Sequence, residues 1–206
     1  KEVQPLDKSD IKILRSFPFD EKEFKKEYGI KEFLGNKSGL EIKKSLVAEP
    51  TCNIAGIVSG YHGEGAKTVL PAEARVKIDF RLVPKMNPKK QVMRLKRHLK
   101  VKGFGDIKIK VYHGEAAART NPKHPFVSDV TAAARKSFGK YLLSVSSAGT
   151  GPMHAFTHIL KAPAIAVGST YVFSRIHSPN EFTRIDLLKK ATKCMCLILD
   201  NFARSN

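Results

Sequence analysis

AEARVKIDFRLV, residues 72–83, decides the reading of the fold. Val76, Ile78, Phe80 and Leu82 alternate with Arg75, Lys77, Asp79 and Arg81. A polarity period of two puts these sets on opposite faces of an extended chain, so the stretch predicts a half-buried strand. Upstream, CNIAGIV (52–58) is an apolar run of strand length, and the glycine-dense GYHGEG (60–65) turns between the two. Downstream, Pro84 and Pro88 bracket a loop. Lys89–Lys102 then places Val92, Leu95 and Leu99 on one helical face, with Gly103 positioned to end the helix. IKIKVY (107–112) alternates again and predicts a further strand. Cys52–Tyr112 thus reads as strand, strand, helix, strand.

The flanks have other rhythms. Residues 1–50 are rich in Lys and Glu, with a short helix predicted at Asp20–Tyr28, where Asp20 can cap the first turn. Gly29, Gly35 and Gly39 then break the chain. After His113, Pro125–Phe138 predicts an Ala-rich helix, LLSV (142–145) a strand, SAGTGP (147–152) a turn and MHAFTHIL (153–160) a helix. APAIAVG (162–168) has the apolar character of a strand buried on both faces of a parallel sheet. YVFSRIHSPNEF (171–182) reads as a polar loop. Arg184–Phe202 reads as a closing helix with Ile185, Leu188, Ala191, Cys194 or Met195, and Ile198 along one side. Helices alternating with apolar strands predict an α/β fold.

Composition narrows the function. In 206 residues, 42% hydrophobic and 27% charged exclude a disordered or fibrous chain. Lys and Arg number 37 against 19 Asp and Glu, a net charge of +18, which attracts anions of any kind. Aromatics are sparse, Trp is absent and no RNA-binding signature occurs, so scattered lysine reads as a solvated surface and no specific nucleic-acid partner is expected. No apolar run approaches the roughly 18 residues of a membrane-spanning helix, so no membrane partner is expected. Three cysteines, Cys52, Cys194 and Cys196, do not make a disulfide framework and fit a reducing, cytoplasmic setting. Cys194 and Cys196 read as small core residues of the closing helix. The chain opens on Lys1 rather than Met, which suggests a processed or truncated product.

Several residues have both a functional and an ordinary reading. Gly60–Thr68 nearly spells a phosphate-binding loop, but Ala66 intrudes between Gly65 and Lys67 and a strand rather than a helix follows. What remains is either a wide hairpin turn or a glycine loop that approaches a ligand, with Lys67 and Thr68 at its exit. Arg81, on the polar face of its strand, is either solvated or a bidentate clamp for an anionic group. Gly149 and Thr150, between a strand and a helix, make an ordinary turn or offer N–H groups to a carboxylate or oxyanion. His177 is a surface-loop histidine or a metal ligand oriented by Asn180 or Glu181; alone it cannot hold zinc. His154 and His158 have a metal-compatible spacing but lack the Glu of a zincin, and read as exposed or packing residues.

In order and spacing, PTCNIAGI (50–57), SGYHGEGAKTVLP (59–71), RVKIDFRLVPKMNP (75–88), SAGTGP and SRIHSPNEF (174–182) resemble the di-zinc exopeptidase and deacylase family. That family contains carnosinase, the cytosolic non-specific dipeptidases, carboxypeptidase G, aminoacylase, acetylornithine deacetylase and succinyl-diaminopimelate desuccinylase; the dipeptidase branch is nearest. The resemblance covers roughly Val3–Phe202. It implies an α/β fold in which an α+β lid that forms a homodimer is joined to part of an α/β catalytic domain. Residues 1–112 correspond to the lid, without its first elements, and 113–206 to the C-terminal part of the zinc-hydrolase domain. It further implies that His177 is a zinc ligand and that Arg81 and Thr68 hold the substrate carboxylate. Gly149 and Thr150 would contact the substrate backbone, Thr150 standing where Ser is usual. The family's His-x-Asp motif, bridging Asp, Glu-Glu pair with its general base, and lid His would fall upstream of Lys1. The implied parent is a two-zinc hydrolase of peptides or N-acyl amino acids, and these residues alone are expected to be inactive. A basic nucleic-acid-binding module, or a dimerisation module without catalysis, is the alternative.

Overall fold

The computed structural model describes residues 3–205, so Lys1, Glu2 and Asn206 lie outside it. Six α-helices and two strands follow in the order α1 (Lys8–Ser16), α2 (Glu21–Tyr28), α3 (Gly39–Ala48), β1 (Thr51–Ser59), β2 (Ala74–Arg81), α4 (Pro88–Val101), α5 (Pro125–Phe138) and α6 (Ile185–Ser205). A 3-10 turn lies at Leu34–Asn36 and a π-helical turn at Ala155–Ile159. The described residues form two compact units, one of Ala48–Ala117 with residues 3–4, the other of Pro5–Val47 with residues 118–205.

In the first unit β1 and β2 form an antiparallel hairpin. Opposite residues share a face, so the cross-strand pairs Cys52–Phe80, Ile54–Ile78 and Ile57–Val76 make one apolar face. Thr51–Arg81, Asn53–Asp79 and Val58–Arg75 lie on the other. A bulge between Ile54 and Gly56 brings Ile57 back to the face of Ile54, which strict alternation along β1 would not do. The apolar face was expected to be buried. It is not: Val76, Ile78 and Phe80 keep 51%, 43% and 41% of their surface exposed. Two strands lack the layer that a hairpin normally packs on. In α4, capped by Asn87 with Pro88 opening the helix, Val92, Leu95 and Leu99 are half-buried on one side, as the periodicity predicts. Gly103, at φ 86°, ends it in a conformation that costs a side-chain-bearing residue more.

The second unit is built on α5 and α6. Val130, Ala133 and Ala134 pack against Cys194 and Ile198, with Phe126, Phe138, Leu197, Ile165 and Val167 around them. Ala191, Cys194 and Ile198 are the buried stripe of α6, whereas Ile185, Leu188, Met195 and Cys196, expected inside, are exposed. Asp20 accepts the Glu23 N–H at 2.9 Å to start α2, and Gly29 ends it in the left-handed conformation at φ 62°. Residues 5–47, grouped by sequence with the first domain, fall within this unit. The tie is physical: Asp10 of α1, almost fully buried, receives both Nη groups of Arg119.

Three predicted strands are not strands. IKIKVY, LLSV and APAIAVG run without ladder partners among the described residues. A strand exists only where a neighbour accepts its hydrogen bonds, and the parallel sheet expected in the second half is therefore not formed there. Part of APAIAVG is held otherwise: Ala164 donates to Thr120 Oγ1 at 2.9 Å and its carbonyl accepts the same hydroxyl at 2.7 Å. Its Ile165 and Val167 still reach the α5–α6 core. MHAFTHIL is helical but winds as the π-turn, with His154 and His158 stacked at 4.3 Å. The fold is mixed α and β, with a small sheet.

Candidate functional site

The first unit carries two of the candidate residues. Arg81 ends β2, opposite Thr51, on the polar face. Its Nε donates to Asp79 Oδ2 at 2.8 Å, and both side chains are about half exposed. Alternation makes this pair, since residues two apart on a strand share a face. Asp79 thus holds the guanidinium at the surface. Asp79 was not singled out from sequence, although its spacing was legible.

Thr68 lies, exposed, in the connection from Gly60 to Glu73. The Tyr61 hydroxyl donates to the Glu64 carbonyl at 3.0 Å, and Lys67 Nζ stands 5.7 Å from the centre of the Tyr61 ring. A side chain at Gly63 would meet the exposed Tyr61 ring, which would have to turn aside. No helix follows this loop, which agrees with setting the phosphate-loop reading aside.

The second unit carries Gly149, Thr150 and His177. Gly149 donates its N–H to Ser147 Oγ at 3.2 Å, and Gly149 and Thr150 are both exposed. The helical segment that follows is the short turn around Ala155–Ile159, which lacks the dipole of a full helix. His177 is exposed, at φ 62°, and its backbone N–H donates to Glu181 Oε2 at 3.4 Å. Asn180 or Glu181 was expected to orient the imidazole; Glu181 accepts from the backbone N–H of His177 instead.

The loop around His177 is closed by its own backbone bonds. Ser174 donates to the Tyr171 carbonyl at 3.1 Å, and Phe182 donates to the Ser174 carbonyl at 3.1 Å. Arg184 forks onto Asp186 at 3.0 and 2.9 Å and lies over the Tyr171 ring at 5.9 Å. The hydrogen bond from Arg184 is the main cause that holds the Asp186 carboxyl below its usual range, and the same bond raises Arg184. Phe173 is buried against Phe24 and Tyr28 of α2, contacts that no local pattern foretold.

Zinc is the metal the resemblance implies, and the donor set does not fit a complete site. Among the described residues no three His, Cys, Asp or Glu side chains converge, whereas catalytic zinc takes about three protein ligands. His177 would be a single ligand.

Residues 18–106 match the family model of the peptidase dimerisation domain. The chain is 32% identical over 98 residues to human Beta-Ala-His dipeptidase, an alignment spanning 48% of this chain and 19% of that protein. Its structure resembles that of an M20 family metallo-carboxypeptidase of Sulfolobus solfataricus at a TM-score of 0.84, with 32% identity, over 98% of this chain and 46% of the other. Human carnosine dipeptidase 1 gives 0.79 with 25% identity, over 98% and 44%. A di-peptidase of Saccharomyces cerevisiae gives 0.84 with 22% identity, over 98% and 43%, a likeness of fold. The chain spans less than half the length of these relatives. Residues 18–106 are thus similar to a peptidase dimerisation domain, in a chain whose structure resembles M20 family peptidases.

Proposed function

We propose that this chain forms the substrate-binding and dimerising part of a metal-dependent hydrolase that cleaves peptide or N-acyl amide bonds next to a free carboxylate. The observation that carries the reading is Arg81, kept at the surface by Asp79 rather than buried. A planar guanidinium meets a carboxylate through two parallel hydrogen bonds, the geometry a terminal carboxylate needs. In this reading Thr68 adds a hydroxyl to the same carboxylate, and Gly149 and Thr150 contact the substrate backbone. His177 is one zinc ligand. The other ligands and the general base come from outside the described residues, so these 206 residues alone are inactive.

The enzyme works as a homodimer through the first unit. The exposed apolar face of Ile54, Ile57, Val76, Ile78 and Phe80 supports this, because contiguous exposed apolar patches mark interaction surfaces. Among the described residues no helix is long and apolar enough to cross a membrane, and all three cysteines are free thiols, which fits a cytoplasmic enzyme. The test is hydrolysis of a free dipeptide and of its C-terminal amide by the metal-loaded enzyme that contains this chain. Preference for the free acid is expected. Equal cleavage of both would overturn the reading.

A further inference from the structure

The loop that carries His177 is held in a conformation its own residues disfavour. Arg175, His177 and Asn180 have φ of 57°, 62° and 62°, three left-handed residues that are not glycine within six positions. L side chains avoid this region, and such residues persist only where the surroundings over-determine them. Within the loop, Ser178 donates to the Arg175 carbonyl at 2.9 Å, Phe182 to the Ser174 carbonyl at 3.1 Å and His177 to Glu181. These bonds close the loop on itself but do not fasten it to the unit.

Phe173 is the root of the loop. It is buried, and its ring meets Phe24 edge-on at 5.2 Å, Tyr28 at 6.3 Å and Tyr171 at 5.7 Å. Tyr171 in turn meets Phe182 at the loop's far end, at 6.4 Å. Phe24 and Tyr28 are one helical turn apart on α2, with rings 5.8 Å from each other. Phe24 is backed by Phe19 at 4.5 Å, and Phe19 by Phe33 at 5.9 Å. An eight-residue helix has little stability of its own, so α2 and the loop order each other through this shared cluster.

We propose that Phe24 and Tyr28 are positioning residues: they clamp Phe173 and so fix the left-handed loop that presents His177. The value of this to catalysis rests on the reading of His177 as a site residue; the clamp itself does not. Amide hydrogen exchange at Phe182 and the imidazole resonances of His177 report on it directly. In Phe24→Ala, Phe182 exchange should speed by about tenfold or more and the His177 signals should shift, while Ala134 and Ile198 keep their protection. Phe24→Tyr should restore both, because a ring still faces Phe173. Tyr28→Ala, at the more open edge of the cluster, should give the same pattern more weakly and serves where Phe24→Ala does not fold. Unchanged Phe182 exchange and His177 signals in both alanine variants would overturn the clamp, as would equal loss of protection throughout the unit in both. His177→Ala should lower kcat/KM with Phe182 exchange intact. If activity survives that change the role of His177 fails, and the exchange data on α2 still decide the clamp.

Discussion

Replacing Arg119 by Ala strips Asp10 of both its side-chain donors. Asp10 is 3% exposed, with Arg119 Nη1 3.0 Å from Oδ2 and Nη2 on Oδ1. Removing one partner of a buried ion pair costs about 3–5 kcal/mol, chiefly because the other charge stays desolvated. The Arg119 side chain is 26% exposed, so water reaches the vacated position and the lower end, about 3 kcal/mol, is expected. With a urea m-value of about 2 kcal/mol/M, the midpoint should fall by about 1.5 M. Asp10→Asn leaves Arg119 able to rehydrate and should cost less, about 1–2 kcal/mol. The double variant Asp10→Asn/Arg119→Ala should then be more stable than Arg119→Ala alone, since no buried charge is left. Urea unfolding followed by far-UV circular dichroism measures all three. A loss under about 1 kcal/mol in Arg119→Ala, or a double variant less stable than that single one, would refute the claim that this ion pair fastens α1 into its unit.

Other outcomes are equally specific. Ile198→Ala, at a position 7% exposed in the α5–α6 core, should cost about 2–4 kcal/mol by thermal unfolding. Ile185→Ala, 69% exposed on the same helix, should cost under about 0.5 kcal/mol. Asp7 caps α1, and its carboxyl is held below the ordinary value of 3.8 first by the Asp10 N–H and then by the Ser9 hydroxyl. Its contribution is therefore complete above that ordinary value and disappears as pH falls through the lowered one. Protection factors of the α1 amides, corrected for intrinsic exchange, should fall across that window, and Asp7→Asn should remove that fall. In the proposed dimer, Ile78→Lys puts a charge in the centre of the exposed apolar face and should yield monomers in sedimentation velocity, whereas the unsubstituted protein should sediment as a dimer.

Local chemistry was legible from the sequence, and long-range partnership was not. The alternation in RVKIDFR gave β2, the Asp20 cap and Gly29 bounded α2, and Pro125–Phe138 is helical from end to end. Each of these is decided by residues within a turn or two. Whether an apolar run becomes a strand depends on a neighbour elsewhere in the chain, so IKIKVY and APAIAVG misled. The same holds for burial, where β2 has the correct pattern without a layer to cover it. Helices α1 and α3 gave little signal because their buried apolar residues are few, Leu14 and Ile42. At the candidate site the sequence located exposed loop residues, and their partners followed the same rule. Asp79 beside Arg81 was within reach of a period-two reading, whereas Phe24 on Phe173 joins distant segments.

The central claim is that Arg81 recognises a free carboxylate. Its most direct test is kcat/KM for a dipeptide and for the matching C-terminal amide, in the parent enzyme and in Arg81→Ala. The account predicts that the variant loses efficiency on the free acid, about tenfold to a hundredfold for a charge-assisted bidentate contact, and no longer prefers it to the amide. An unchanged ratio of acid to amide in Arg81→Ala would contradict it.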